Sequence, residues 1–566
     1  MINLFFRAEI ISLQKKRLNR SSQFYYQGIN KSLGSFMPQP KKNESWGSMM
    51  GVILAVMGSA IGLGNFLRFP GLAAKYEGGA FMIPYFVALI LLGIPVAWLE
   101  WTIGRAGGQK GFHSTPGIFS VIWPHRASPF VGFLGVLVPV GIYMYYVVIE
   151  AWCLYYAYQY IVGTFPLQAG ADAYTNFFAA FTGQGADGVL LGFAHSDFIL
   201  FLLICYALNM IIIYRGLAGG IEIVSMVGIP VLFISAFIIL GRVLTLGTPD
   251  LSLPDQNVLN GLGFMWNPST PTKTFWQSLA NGEMWLAAAG QIFFTLSVGF
   301  GVIITYSSYL KKSDDVMLSA TTSVAGNTFA EVALGGMITI PAAFILLGPA
   351  ATGGGTFQLG FITLPLVFEH MPVGGLFGFL WFFLLFIAAI TSSISMLQPA
   401  IAFFEEGVGT SRKASVTLLS FVTFVGSIVV IFFSKNLTGL DQMDFWVGTI
   451  CLFLLATIQV ILGGWVFGID NLIGEARSGS AFSIPKWVGF LIKYIAPSYL
   501  IIVFAVWLYQ NLGKYIETLV SNDSARMTFL FIVFLSGFIL TLISQAVRRW
   551  KKEANQATSN SNEESL

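Results

Sequence analysis

The sequence predicts an all-α integral membrane protein of about 12 transmembrane helices, and three observations carry that prediction. The 566 residues are 55% hydrophobic and 10% charged, with a mean hydropathy of +0.73, whereas soluble domains carry about 25% charged residues. The apolar residues gather in runs matching the roughly 20 residues that a bilayer core requires of a helix. Lys and Arg concentrate in the two tails and in alternate loops, the pattern of loops retained in the cytoplasm.

The elements follow in order. Residues 1–45 form a basic tail with Arg7, Lys15, Lys16, Arg17, Arg20, Lys31, Lys41 and Lys42. Its apolar start is broken by Arg7 and Glu9 and lacks a small-residue cleavage site. It therefore reads as a cytoplasmic tail, lying on anionic lipid or simply unstructured, rather than as a secretory signal. The membrane domain, 46–547, is expected to hold spans at 46–71, 80–104, 130–162, 196–213, 220–246, 276–310, 315–348, 376–407, 414–434, 442–468, 485–511 and 526–547. The loop 163–195 is polar and free of Lys and Arg; the loop 350–375 is rich in Gly and Pro yet apolar, so it is expected to fold back as a lid. Loops after even-numbered spans carry Arg105, Lys110 and Arg126, then Arg215, then Lys311 and Lys312, then Arg412 and Lys413. That asymmetry places both termini in the cytoplasm. The tail 548–566 is basic, then rich in Asn, Ser and Glu, and reads as disordered. Cys153, Cys205 and Cys451 all sit inside apolar runs, which favours packing over a disulfide framework. The four histidines show no metal-site spacing.

Two spans break the rules of a membrane helix. Span 1 contains GSAIGLGNFLRFP, in which Gly58, Gly62 and Gly64 are followed by Asn65 and Arg68. A glycine in a helix interior costs about 1 kcal/mol relative to Ala, and an arginine at bilayer depth about 3 kcal/mol. A packing face of small residues would explain the glycines but not Asn65 and Arg68. The expectation is a break that turns carbonyl oxygens toward a cavity, the one setting in which irregular backbone is tolerated at that depth. Span 6 repeats the pattern in GQIFFTLSVGFG, where Thr295 and Ser297 precede Gly299 and Gly301, with Phe294 and Phe300 beside them. Taken alone this could be a packing kink; paired with span 1 it points to a transporter of two inverted halves with its site between them.

The run WGSMMGVILAVMGSAIGLGNFLRFP beginning at Trp46, the following EGGAFMIPY, and span 6 resemble the neurotransmitter:sodium symporter family, most closely its bacterial leucine-transporter branch. The resemblance extends from Trp46 through span 12. The paired-break architecture is itself drawn from members of this family, so its geometry is implied by the resemblance rather than deduced. What it implies is the leucine-transporter fold: a first repeat at about 46–246, a second at about 276–468, and two further helices at about 485–547. Activity is then sodium-coupled import of a neutral, apolar L-amino acid by alternating access, with no organic cofactor and no enzymatic chemistry. One sodium is expected on Ala60, Asn65, Thr295 and Asn327 together with the substrate carboxylate. A second is expected on Gly58, Ile61, Ala388, Thr391 and Ser392. Sodium is a hard cation suited to carbonyl, amide and hydroxyl oxygens. Taken singly, the Thr391 and Ser392 hydroxyls could instead bond their own helix.

The implied substrate pocket comprises Ser59, Ala60, Leu63, Gly64, Ile142, Tyr146, Phe294, Thr295, Ser297, Phe300, Ser392 and Met396. Gly62 leaves no carboxylate where amine-carrying members place an aspartate, which favours a substrate that brings its own. The outer gate is expected to be Arg68 and Asp444 bridged by Gln291, above Tyr146 and Phe294. The inner gate is expected from Trp46, Ser308, Tyr309, Gln398 and Glu406. There the chain departs from the family pattern: Asn43 stands where an arginine is expected, leaving Lys41 or Lys42 as the cation. Glu331 occupies the place of a small hydroxyl residue in chloride-dependent members and reads as a built-in negative charge, implying chloride independence. Glu100 and Glu150 read as structural acids. The expected partners are a small neutral amino acid, sodium and the lipid bilayer, with no nucleic acid and with a homodimer left open; the expected location is the bacterial inner membrane. A carrier of another zwitterion, a substrate sensor and a channel are the alternatives, the last disfavoured by a gated apolar pocket.

Overall fold

The computed structural model describes residues 44–165, 170–192, 196–269, 274–348, 355–482 and 484–563, and among these no strand occurs. Among the described residues ten helices are long and apolar enough to cross a membrane, or eleven when the bent pair Met49–Ala60 and Gly64–Lys75 counts as one. The ten are Gly79–Gly108, Ser128–Val162, Ser196–Tyr214, Leu217–Leu244, Val316–Leu347, Gly374–Val408, Arg412–Phe432, Lys435–Ala476, Lys486–Ser521 and Asp523–Gln556. Span 6 falls outside that count because it is divided into Gly282–Thr295 and Val302–Ser308, each too short to cross a bilayer core alone.

Both breaks have local causes. Span 1 stops being helical after Ala60, where Ile61 turns to φ −75°, ψ 96°, and its two halves meet at 48°. The Asn65 side chain accepts from the Gly62 N–H at 2.8 Å, satisfying a donor that the interrupted helix leaves free. In span 6, Ser297, Gly299 and Gly301 all take positive φ, at 54°, 80° and 79°. A Cβ on Gly299 would lie 2.7 Å from the Ala456 Cβ, and one on Gly301 would lie 2.6 Å from the Gly135 carbonyl oxygen. Glu100 accepts from the Gly299 N–H at 2.6 Å, so a carboxylate from span 2 replaces the helical bond that the break removes. The breaks face each other: Ser297 Oγ donates to the Ser59 carbonyl at 3.0 Å. Spans 3 and 8 lie behind them, almost wholly buried along their inner stretches.

Three boundaries differ from expectation. The helix Val258–Trp266 fills much of the loop before span 6 and lies against Met337–Leu347, with Gly261 over Pro341. After residues 349–354, which lie outside the described residues, Thr356–Glu369 is a short apolar helix whose Gly360 carbonyl accepts from Trp381 Nε1 at 3.2 Å. The tail after Arg548, expected to be disordered, continues span 12 as helix to Glu563. The composition of that tail is polar, but Trp550 and Ala554 continue the buried seam of Ile543 and Ala546, and that seam outweighs the composition.

Replacing Gly301 with Ala should destabilise the protein by about 1–3 kcal/mol, since the left-handed backbone and the Gly135 oxygen both oppose a methyl group. The thermal unfolding midpoint of the purified protein in detergent measures this, and an unchanged midpoint would contradict the account of the break.

Candidate functional site

The two breaks and span 7 bring polar oxygens together in a fully buried spot. Asn65 Nδ2 donates to Asn327 Oδ1 at 2.8 Å and to Thr295 Oγ1 at 3.1 Å, and Asn327 Nδ2 reaches the same Thr295 hydroxyl at 3.1 Å. The Asn327 amide is frustrated. Turned over, its nitrogen would lie 3.1 Å from the Ala60 carbonyl and 3.3 Å from that of Thr295, but also 2.8 Å from the Asn65 nitrogen, donor against donor. Left as it stands, its oxygen faces two carbonyl oxygens. Amide orientation is an assignment made from the hydrogen-bond network, and here neither orientation satisfies every atom. A cation among Ala60 O, Thr295 O, Thr295 Oγ1 and Asn327 Oδ1 would do so, and oxygen-only ligands suit a hard cation. Among the described residues no three His, Cys, Asp or Glu side chains come together as a metal site.

A second oxygen cluster lies where span 8 meets the span 1 break. Ser392 Oγ is 3.2 Å from the Gly58 carbonyl, 3.2 Å from that of Ser59 and 3.5 Å from that of Ile61. One hydroxyl proton cannot serve three carbonyls, so this group too is rich in acceptors. Thr391 behaves differently: its hydroxyl donates within its own helix, to Ile387 at 2.9 Å or Ala388 at 3.3 Å. The structure thus brings Gly58, Ile61 and Ser392 together, with Thr391 packed on Gly58, where a Cβ would lie 3.2 Å from the Thr391 Cβ, and Ala388 one turn earlier.

Of the expected substrate contacts, Tyr146 Oη accepts from the Leu63 N–H at 3.2 Å, and Gly64 is close enough to Phe294 that a Cβ there would meet the ring at 2.9 Å. Phe300 stands edge-on to Phe294 at 6.0 Å, with Ile142, Thr295, Ser297 and Met396 buried beneath. Ser59 presents its carbonyl, while its hydroxyl is bonded to Ser395 at 2.7 Å. Above this floor an outer cavity of about 460 Å³ is lined by Leu63, Gly64, Tyr146 and Phe294 below and by Arg68, Asp444, Thr356 and Phe357 around it.

The gates depart from expectation. Arg68 lies over the Phe294 ring at 4.4 Å, and Asp444 accepts from Tyr145 Oη at 2.7 Å; among the described residues no ion pair joins the two. Gln291 does not bridge them. It donates to Glu331 at 2.5 Å, and Tyr85 donates to the other Glu331 oxygen, because a buried carboxylate is the stronger acceptor. At the inner end Lys42 lies outside the described residues, as do Lys41 and Asn43. Trp46 Nε1 donates to the Tyr306 carbonyl at 3.0 Å. Tyr309 stacks on His113 at 4.1 Å, Ser308 bonds the His113 ring at 2.9 Å, and Gln398 donates to Tyr309 Oη at 3.2 Å. Among the described residues Glu406 pairs with no cation: it accepts from the His113 and Ser114 N–H groups at 2.6 and 3.2 Å and from the Ser114 hydroxyl.

Among the described residues Arg412 at this end pairs with Glu44, 2.7 Å away though not aligned as a hydrogen bond, and more distantly with Glu405 at 4.0 Å. Arg412 also donates to Gln398 at 3.2 Å and to the Ile213 carbonyl at 2.7 Å. Sequence reasoning missed Glu44, Arg412 and His113. The available signal was an acid two residues before Trp46 and an arginine six after Glu406, with the family's polarity reversed.

This arrangement defines a class: a multi-pass helical transporter whose broken spans present main-chain oxygens to a cation. Comparisons with known proteins agree. Residues 43–180 and 189–552 match the family model for the sodium:neurotransmitter symporter family. An uncharacterized sodium-dependent transporter of Methanocaldococcus jannaschii is 31% identical over 81% of this chain and 88% of its own length. The uncharacterized sodium-dependent transporter YhdH of Bacillus subtilis is 31% identical over 82% and 97%. The human sodium- and chloride-dependent taurine transporter is 24% identical over 81% and 77%. The crystal structure of MhsT in complex with L-phenylalanine superposes with a TM-score of 0.69 at 29% identity, covering 82% of this chain and 99% of that one. The chain belongs to the sodium:neurotransmitter symporter family. It is a sodium-dependent membrane symporter, and its relatives are transporters, not enzymes.

Burial lowers the His113 pKa from 6.5 to about 4. A depressed value means the unfolded chain binds the extra proton first, so this residue's contribution is complete above 6.5 and fades as pH falls toward 4. His113→Asn should therefore flatten the loss of stability across that window, read from unfolding midpoints over a pH series; identical slopes would refute it.

Proposed function

We propose that this symporter imports a neutral, apolar L-amino acid with two sodium ions by alternating access and without chloride. The observation that carries this reading is the buried cluster of Ala60, Asn65, Thr295 and Asn327, which is rich in neutral oxygens and contains no carboxylate. Gly62, whose N–H Asn65 holds, brings no carboxylate from the break, and a Cβ there would lie 2.7 Å from Tyr146 Oη and 2.8 Å from Ser392 Oγ. An anionic ligand must then arrive with the substrate. An α-carboxylate meets the Leu63 N–H and Tyr146 Oη at the start of a half-helix, a favourable place for negative charge. Its ammonium would face the carbonyls of Ala60, Phe294 and Thr295 and the Ser297 hydroxyl. Ile142, Phe300 and Met396 supply an apolar wall for the side chain, and the likeness to MhsT bound to L-phenylalanine supports an amino acid of that kind.

Glu331 supports chloride independence. Its oxygens take hydrogen bonds from Tyr85 and Gln291 beside Asn327, a charge fixed in the protein where a chloride-dependent relative would need an anion. The second sodium is assigned to Gly58, Ile61, Ala388, Thr391 and Ser392. Arg68, Asp444, Tyr146 and Phe294 close the outer path. Trp46, Ser308, Tyr309, Gln398 and Glu406, with Glu44 and Arg412, close the inner one. Both termini lie in the cytoplasm.

Uptake into proteoliposomes under a sodium gradient, with chloride replaced by gluconate and each of the twenty amino acids and taurine as competitor, tests the reading. Uptake should require sodium, ignore chloride and be competed by apolar amino acids; competition by taurine alone would overturn the substrate class. Asn65→Ala should raise the half-saturating sodium concentration by about tenfold, since losing the amide that holds Gly62, Thr295 and Asn327 in place around the cation is worth about 1.4 kcal/mol or more. Because sodium completes the substrate site, the apparent substrate affinity should weaken in parallel. Glu331→Ser should make uptake depend on chloride, and a fully active, chloride-indifferent variant would refute the role given to Glu331.

A further inference from the structure

Span 12 does not end at the membrane. It runs as helix from Asp523 to Glu563, and the stretch Arg548-Arg549-Trp550-Lys551-Lys552 directly follows its apolar part. Arg548, Lys551 and Lys552 are exposed and stand at i, i+3 and i+4, on one face of the helix. The opposite face is buried against the protein through Ile543, Ala546, Trp550 and Ala554. Arg549 is turned inward. It pairs with Glu553 at 2.8 Å and lies over Gly409, where a Cβ would fall 1.7 Å from its guanidinium; the positive φ of 83° at Gly409 lets the backbone pass this close.

The buried face ends on the inner gate. Trp550 Nε1 donates to the Glu406 carbonyl at 3.1 Å, and the Trp550 ring meets Phe112 edge-on at 5.3 Å. Phe112 adjoins His113, whose backbone is held by the Glu406 carboxylate and whose ring stacks on Tyr309. Tyr309 leads through Gln398 to Arg412 and Glu44. One rigid helix thus carries three outward cations on one side and a gate contact on the other.

We propose that Arg548, Lys551 and Lys552 form a binding face for anionic phospholipid headgroups, and that headgroups held there keep Trp550 seated and the inner gate closed. Juxtamembrane clusters of this size attract anionic leaflets with about 1 kcal/mol per cation. The positive-inside bias accounts for the presence of cations here, but not for their segregation onto one face of a helix whose other face is bonded to the gate. The inference rests on the cytoplasmic placement of the C-terminus proposed above.

The test compares the full-length protein in phosphatidylcholine nanodiscs and in nanodiscs with a quarter phosphatidylglycerol, in sodium. Hydrogen exchange of residues 109–114 and 404–409 should slow several-fold with the anionic lipid. The triple variant Arg548→Gln, Lys551→Gln, Lys552→Gln should exchange at the phosphatidylcholine rate in both. Trp550→Phe, which keeps the ring but removes the hydrogen bond, should weaken the protection without abolishing folding. An equal exchange rate of the unmodified protein in the two lipids, or a lipid response retained by the triple variant, would overturn the proposal. Sodium-dependent uptake by the same protein reconstituted into proteoliposomes of the two lipid compositions separates this outcome from failure of the transport reading, which requires uptake in either lipid.

Discussion

A main-chain carbonyl removed from a helix inside a membrane has lost its hydrogen bond and has no water to replace it, and this structure is arranged around two places where that happens. At each, other spans supply the missing partners. Glu100 of span 2 takes the free N–H of Gly299, Asn65 takes that of Gly62, and Ser297 ties span 6 to the Ser59 carbonyl. The donors are satisfied first, and what remains is a surplus of acceptors: Ala60 O and Thr295 O around Asn327, and Gly58, Ser59 and Ile61 around a single serine hydroxyl. A surplus of buried acceptors is unstable alone and stable around a cation. The cation sites proposed above are thus a direct consequence of breaking the helices.

The same constraint explains why the two breaks were legible in the sequence. Glycine, asparagine and hydroxyl residues inside an apolar run are costly unless backbone must be freed, so GSAIGLGNF and FTLSVGFG announce both breaks before any coordinates. Asn327 and Ser392 follow because a polar side chain in the same core needs a reason to be there. The limits are as physical. Thr391 and Ser392 are neighbours of the same chemical type, and only the rotation of span 8 decides that Ser392 faces the break while Thr391 bonds its own turn. Gln291 was misread because an amide on span 6 can reach either the Arg68 side or Glu331, and the stronger acceptor lies on the other helix.

The inner end was least legible. Residues there are polar, near water and compatible with many pairings, so sequence spacing constrains them little. Glu44 and Arg412 meet because the chain before span 1 passes under the start of span 9, a tertiary fact with no periodicity behind it. Helix beyond Arg548 was hidden for a related reason: Asn, Ser and Glu predict a solvated tail, and only the seam of Ile543, Ala546, Trp550 and Ala554 shows that one face is covered.

The two ends also differ in what holds them. The outer side leaves Arg68 and Asp444 around an open cavity, each engaged with an aromatic neighbour rather than with the other. The inner side is joined through a continuous series of contacts, from Trp46 on Tyr306 to Tyr309 on His113, Glu406 on the loop 113–114, and Arg412 on Glu44 and Gln398. An outer path held by few contacts above an inner path held by many is what the proposed import asks of a state awaiting ligand from outside. Under that proposal, ligand drawing the span 1 and span 6 breaks together below Phe294 would close the first without disturbing the second. Release inward would then require loosening a network spread over spans 1, 2, 6, 8 and 9. Because that network lies at the ends of the spans, far from the oxygen clusters, its strength can change without altering how sodium is coordinated.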